Sequence, residues 1–131
     1  MSKENPCVLV LEDEALLLEA ISKKLIKSGM TTISCTTAEQ ALDYLESISE
    51  KPDVIWLDFY LKGGMDGLEF LTKLKANEAW ANIKIIIVSN TASDDKVKSM
   101  LALGASKYVL KAEHRLDEIV EQLTDIIAET E

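Results

Sequence analysis

The chain has 131 residues, 23 acidic and 14 basic, for a formal net charge of −9. That length suits one domain, and its share of Leu, Ile, Val and Phe lies well above the ~20% below which a charged chain stays disordered. The negative excess opposes a phosphate backbone and an anionic bilayer, so neither nucleic acid nor membrane is expected as a direct partner.

The first six residues are polar, and the first apolar run, Cys7–Leu11, is ended by Glu12-Asp13-Glu14. It is too short for the apolar core of a signal peptide, and no run approaches the ~18 residues of a membrane span. The chain therefore reads as cytoplasmic, with Cys7 and Cys35 reduced and acting as small buried hydrophobes. Neither belongs to a C-x-x-C pair, and a single histidine, His114, makes a Cys/His zinc site unexpected.

Cys7–Leu11 predicts a buried strand. Ala15–Lys27 has apolar residues at Leu17, Leu18, Ile21, Leu25 and Ile26, which is helical spacing, and Gly29 fits the position past a helix end. Thr31–Cys35 is β-branched and predicts a second strand. Ala38–Ile48 predicts a helix with Ala41, Leu42 and Leu45 inward. Val54–Leu57 follows Pro52 as a third strand, then Leu68–Leu74 as a helix with Leu68, Leu71 and Leu74 in register. Ile83–Val88 predicts a fourth strand. Ser93 fits an N-cap, with Asp94 and Asp95 in the first turn of a helix running to about Leu103, before Gly104. Lys107–Leu110 predicts a fifth strand, and Arg115–Ala128 a last amphipathic helix.

Strand and helix alternate five times, which predicts an α/β fold: a doubly wound, five-stranded parallel sheet with helices on both faces. Continuous apolar strands are what a sheet covered on both sides requires. Ligands of such folds bind outside the carboxyl ends of the strands. The residues there are Glu12 and Asp13 after the first strand, Asp58 after the third, Ser89 after the fourth and Lys111 after the fifth.

Each of these has an ordinary reading, as a turn residue, a helix-start acid or a solvated lysine. Together, on one sheet edge, they have another. Three close carboxylates repel by about 4 kcal/mol per pair at ~4 Å and an effective dielectric of ~20, which calls for a cation. Hard carboxylate oxygens with few fixed ligands suit Mg²⁺, which commonly also takes a phosphate oxygen. Asp58 then becomes a candidate nucleophile for an aspartyl-phosphate, with Lys111 and Ser89 binding phosphoryl oxygens.

With these residues the chain closely resembles the receiver domain of two-component response regulators, from about Pro6 to Ala128. The resemblance rests on Val8-Leu9-Val10-Leu11-Glu12-Asp13-Glu14, on Asp58, on Met65-Asp66-Gly67, on Ile86-Ile87-Val88-Ser89, on Ala102-Leu103-Gly104-Ala105 and on Lys111. It implies a flavodoxin-like sheet of strand order 2-1-3-4-5. It also implies Asp58 as phosphoacceptor, and Mg²⁺ held by Glu12, Asp13, Asp58 and the Tyr60 backbone carbonyl. Ser89 and Lys111 are then the phosphoryl-binding residues, and Tyr108, three before Lys111, the aromatic switch. The implied partners are a histidine kinase or phosphotransfer protein upstream, and a downstream protein or an output domain.

The sequence departs from the family's pattern at several positions. Glu12 replaces the more usual Asp, Gly63 stands where Pro is frequent, and Ala112 replaces the usual Pro after Lys111, so a cis bond is not expected there. Asn90 stands where Ala or Gly is typical, and with Tyr60 and Thr91 it is expected to slow phosphoryl turnover.

The expected function is a phosphorylation-dependent signalling switch. It would be no enzyme beyond its own phosphorylation and dephosphorylation, and would consist of one receiver domain without an output domain. The alternative is a receiver-like interaction module not regulated by phosphorylation. An aspartyl-phosphate phosphatase or mutase is disfavoured because Tyr60 occupies the place of its second Asp. A flavin-binding flavodoxin-like protein is disfavoured because Glu12-Asp13-Glu14 would repel the flavin phosphate.

Overall fold

A computed structural model describes residues 5–48, 50–59, 61, 64–89, 94–111 and 115–129. Five strands alternate with five helices: β1 Cys7–Leu11, α1 Ala15–Lys27, β2 Thr31–Cys35, α2 Ala38–Ser47, β3 Val54–Asp58, α3 Gly67–Ala76, β4 Lys84–Ser89, α4 Asp94–Ala102, β5 Lys107–Leu110 and α5 Leu116–Glu129. The strands pair in parallel in the order β2-β1-β3-β4-β5.

Strand alternation splits the core in two. Leu9, Leu11, Ile55, Leu57, Ile85 and Ile87 face α2, α3 and α4. Val8, Val10, Val54, Trp56, Ile86 and Val88 face α1 and α5. Both faces of β3 and β4 are therefore dry, which is why those strands are apolar throughout. Trp56 and Trp80 are both packing residues. Lys24 of α1 and Asp117 of α5 form a surface ion pair that holds the Asp117 carboxyl below its ordinary range.

The elements follow their predicted positions, with informative shifts. β3 runs one residue further, to Asp58, and β4 is displaced by one to end on Ser89, so Asp58 and Ser89 both belong to the ladder. Ile48 leaves the predicted second helix, adopting an extended conformation as its C-cap. α3 begins at Gly67, capped by the Asp66 carboxylate, which accepts the Glu69 N–H (2.8 Å), and it packs Phe70, Leu71 and Leu74 inward. Leu68, predicted inward, is exposed. Ile26 likewise faces solvent at the end of α1, and Leu42 is only partly buried. Gly29 and Gly104 end helices with φ of 91° and 108°, a region costly for other residues. Cys35 is buried and Cys7 half-buried, both as free thiols.

Candidate phosphoryl and cation site

β1 and β3 are neighbours with Leu11 opposite Leu57 in register, so the residues that follow, Glu12 and Asp58, emerge side by side. Asp13 completes the group: one carboxylate oxygen from each of Glu12, Asp13 and Asp58 lies within 4.8 Å of the others. Glu12 is 1% exposed and Asp58 6%, whereas Asp13 is half-buried. Burying two carboxylates costs several kcal/mol each unless charge and hydrogen bonds compensate.

Part of the compensation comes from Lys111, which follows β5. Its Nζ lies 2.8 Å from Glu12 Oε1 and 3.9 Å from Asp58 Oδ1. Lys111 thus reaches past β4 to the β1–β3 pair and binds Glu12 more closely than Asp58. The other Glu12 oxygen, Oε2, accepts the Glu14 N–H (3.1 Å), so both oxygens of this buried acid are engaged. α1 has no side-chain cap of its own. Among the described residues named here, one lysine stands against three clustered acids. Three hard oxygen donors around that space suit a divalent cation of the Mg²⁺ type.

Ser89 is fully buried at the end of β4, opposite Leu110 in register and one residue beyond the Asp58–Val88 pair. Tyr108, on β5 opposite Ile87, is half-buried and packs against the α2–α3–α4 side of the core. Strand alternation puts Ser89 and Tyr108 on that side, and Glu12, Asp58 and Lys111 on the α1–α5 side. The five strand-end positions therefore share one sheet edge. Tyr60, Asn90 and Thr91 lie outside the described residues, as do Gly63, Ser93, Ala112 and His114.

Two contacts here have no counterpart in the sequence reading. Lys96 of α4 stands 5.8 Å from the ring centroid of Phe59, the residue after Asp58, and so ties α4 to the end of β3. Glu39 of α2 accepts the Met65 N–H (3.1 Å) and so holds the segment before α3. Both look in sequence like ordinary helix-surface charges, and local spacing carries no signal for either. A cavity of about 550 Å³ lined by Cys7, Thr31, Ile33, Tyr44, Ile48 and Glu50 lies at the opposite end of the sheet and holds no comparable constellation.

A family model, the response regulator receiver domain, matches residues 8–124. The chain is 31% identical over 104 residues to the phosphate regulon transcriptional regulatory protein PhoB of Pseudomonas aeruginosa, covering 79% of this chain and 44% of that protein. It is 30% identical over 107 residues to the sporulation initiation phosphotransferase F of Bacillus subtilis, covering 82% of each. Among solved structures, the receiver domain of the Francisella response regulator 1452 superposes with a TM-score of 0.84 at 25% identity, covering 97% of this chain and all of that one. The chain spans half or less of the length of the first relatives it matches. Among the described residues, no helix is long and apolar enough to cross a membrane.

Proposed function

The chain belongs to the response regulator receiver domain family, and from that premise we propose that it is a phosphorylation switch whose phosphoacceptor is Asp58. The observation that supports this most directly is the convergence of three carboxylates and a lysine, with Asp58 buried in their midst at the carboxyl edge of the sheet. An Asp58 carboxylate oxygen attacks the phosphorus of a phosphohistidine on a histidine kinase or phosphotransfer protein. The new O–P bond forms as the P–N bond breaks, and the electron pair leaves on the imidazole. Glu12, Asp13 and Asp58, with the Tyr60 carbonyl, are the groups to hold Mg²⁺. When bound, the ion supplies the charge neutralisation that lets a dianionic group approach these acids.

Lys111 is placed to exchange part of its bond to Glu12 for a phosphoryl oxygen, which turns an internal ion pair into a sensor of the transferred group. Ser89 donates its hydroxyl to a second oxygen, and Tyr108 follows Ser89 inward. The pair then biases the α4–β5–α5 face between two populations, one of which binds the downstream protein or output domain. The protein performs no chemistry beyond its own phosphorylation and dephosphorylation. It works in the cytoplasm, and Tyr60, Asn90 and Thr91 slow its turnover.

Acetyl phosphate with Mg²⁺ tests the assignment. Wild-type protein is expected to take up one phosphoryl group and Asp58→Asn none; labelling retained in the variant refutes it. Trp56 lies two residues before Asp58 on the same strand face, so its emission should change with Mg²⁺ and again with beryllofluoride. Silence to both would count against the site. Faster loss of phosphoryl from Asn90→Ala is expected, and an unchanged rate removes Asn90 from the turnover set.

A further inference from the structure

Two ties hold described residues between Asp58 and α3. At its base the Gly67 N–H donates to the Phe59 carbonyl (3.2 Å), and a Cβ at Gly67 would lie only 2.5 Å from that oxygen. The second tie comes from a different element. Glu39, in the first turn of α2, accepts the Met65 N–H on Oε2 (3.1 Å). The same oxygen lies 2.7 Å from where a Cβ at Gly64 would sit. Gly64 has φ of 51°, so a residue without a Cβ both adopts the left-handed turn and leaves room for the carboxylate.

Glu39 is itself held in place for this contact. The Thr37 hydroxyl oxygen caps α2 by accepting the Gln40 N–H (3.1 Å), and Gln40 Oε1 accepts the Thr36 N–H (2.9 Å), which fixes the first turn. A carboxylate in that turn is further favoured by the helix dipole. Met65, on the other side of the bond, packs its side chain against the α2–α3–α4 core.

We propose that Glu39 is a positioning residue for the phosphoryl reaction, clamping before any ligand arrives the Gly64–Met65 backbone, which the Gly67–Phe59 hydrogen bond joins to the residue after Asp58. The inference rests on the reading of Asp58 as phosphoacceptor. Without the clamp, cation and phosphoryl binding must fix the Gly64–Met65 turn themselves, and that cost appears as weaker binding. Glu39 is on α2 and is not one of the three clustered carboxylates, so it acts through the backbone it holds.

The test uses the full chain with Glu39→Ala and Glu39→Gln, since the glutamine amide oxygen can still accept the Met65 N–H. Three quantities are read: Mg²⁺ affinity from Trp56 emission, the lifetime of the acetyl-phosphate-labelled form, and amide exchange at Met65. Glu39→Ala is expected to bind Mg²⁺ roughly three- to tenfold more weakly, the range one hydrogen bond commands, to alter the lifetime, and to exchange faster at Met65. Glu39→Gln should restore all three to within about twofold. If wild type responds and Glu39→Ala matches it, this inference alone is overturned. If Glu39→Gln is as impaired as Glu39→Ala, the clamp is overturned as the cause. If wild type neither takes label nor responds to Mg²⁺, the phosphoacceptor reading falls, and this inference with it.

Discussion

Replacing Asp58 by Asn should make the metal-free protein more stable, although Asp58 is a buried, conformationally fixed residue. Its carboxylate is within 4.8 Å of those of Glu12 and Asp13, and 3.9 Å from Lys111 Nζ. At an effective dielectric of ~20, each like-charge pair at that separation costs about 3.5 kcal/mol, and the lysine returns about 4 kcal/mol. Asp13 is half-exposed, so solvent reduces its share to roughly half. Among these four charged groups alone, the balance leaves the Asp58 charge unfavourable by about 1–3 kcal/mol without a cation. The Asp58→Asn variant keeps the shape and removes the charge. In EDTA its melting temperature should rise by about 4–10 °C for a domain of this size. Added Mg²⁺ should narrow or reverse the difference, because wild type keeps three acidic ligands and gains more from binding. Thermal or urea melts in EDTA and in Mg²⁺ supply the measurement. A variant that melts below wild type in EDTA would refute the reasoning, since Asp58 would then be held by favourable contacts outweighing the repulsion.

Lys111→Met takes the 2.8 Å partner from a Glu12 carboxylate that is 1% exposed, and should cost about 3 kcal/mol in EDTA, with Mg²⁺ recovering a larger share than in wild type; equal urea midpoints would contradict this. Gly67→Ala drives a methyl to 2.5 Å from the Phe59 carbonyl and should destabilise the fold by about 1–3 kcal/mol in the same assay, so a neutral result would mean the segment relaxes freely. Burial pushes the Cys35 thiol from 9.0 up to about 11. The unfolded chain therefore loses this proton first as pH rises. Stability from the neutral thiol is whole below pH 9 and is lost between there and about pH 11, on the order of 2–3 kcal/mol. Urea midpoints should fall more steeply over that range in wild type than in Cys35→Ala, and parallel slopes would exclude the thiol as the cause.

Local pattern was enough for the elements and for the residues at the strand ends. Apolar runs bounded by Glu12-Asp13, Asp58, Ser89 and Lys111 mark strand ends, because a sheet covered on both faces demands continuous apolar strands and expels charge to their termini. Helix faces were less legible. Leu68 and Phe70 lie roughly 200° apart around the helix, so only one can join Leu71 and Leu74 inward, and packing buries Phe70.

Contacts between distant segments were decided by the tertiary structure alone. Which strands are neighbours does not follow from any strand's own residues; pairing β1 with β3 puts Glu12 beside Asp58 and draws Lys111 across β4 to Glu12 first. Glu39 reaches Met65 only because α2 and the segment before α3 are packed on the same face of the sheet. A hydrogen bond between residues so far apart along the chain leaves no periodic trace in the sequence, so it appears only once the sheet order and the helix packing bring its two ends together.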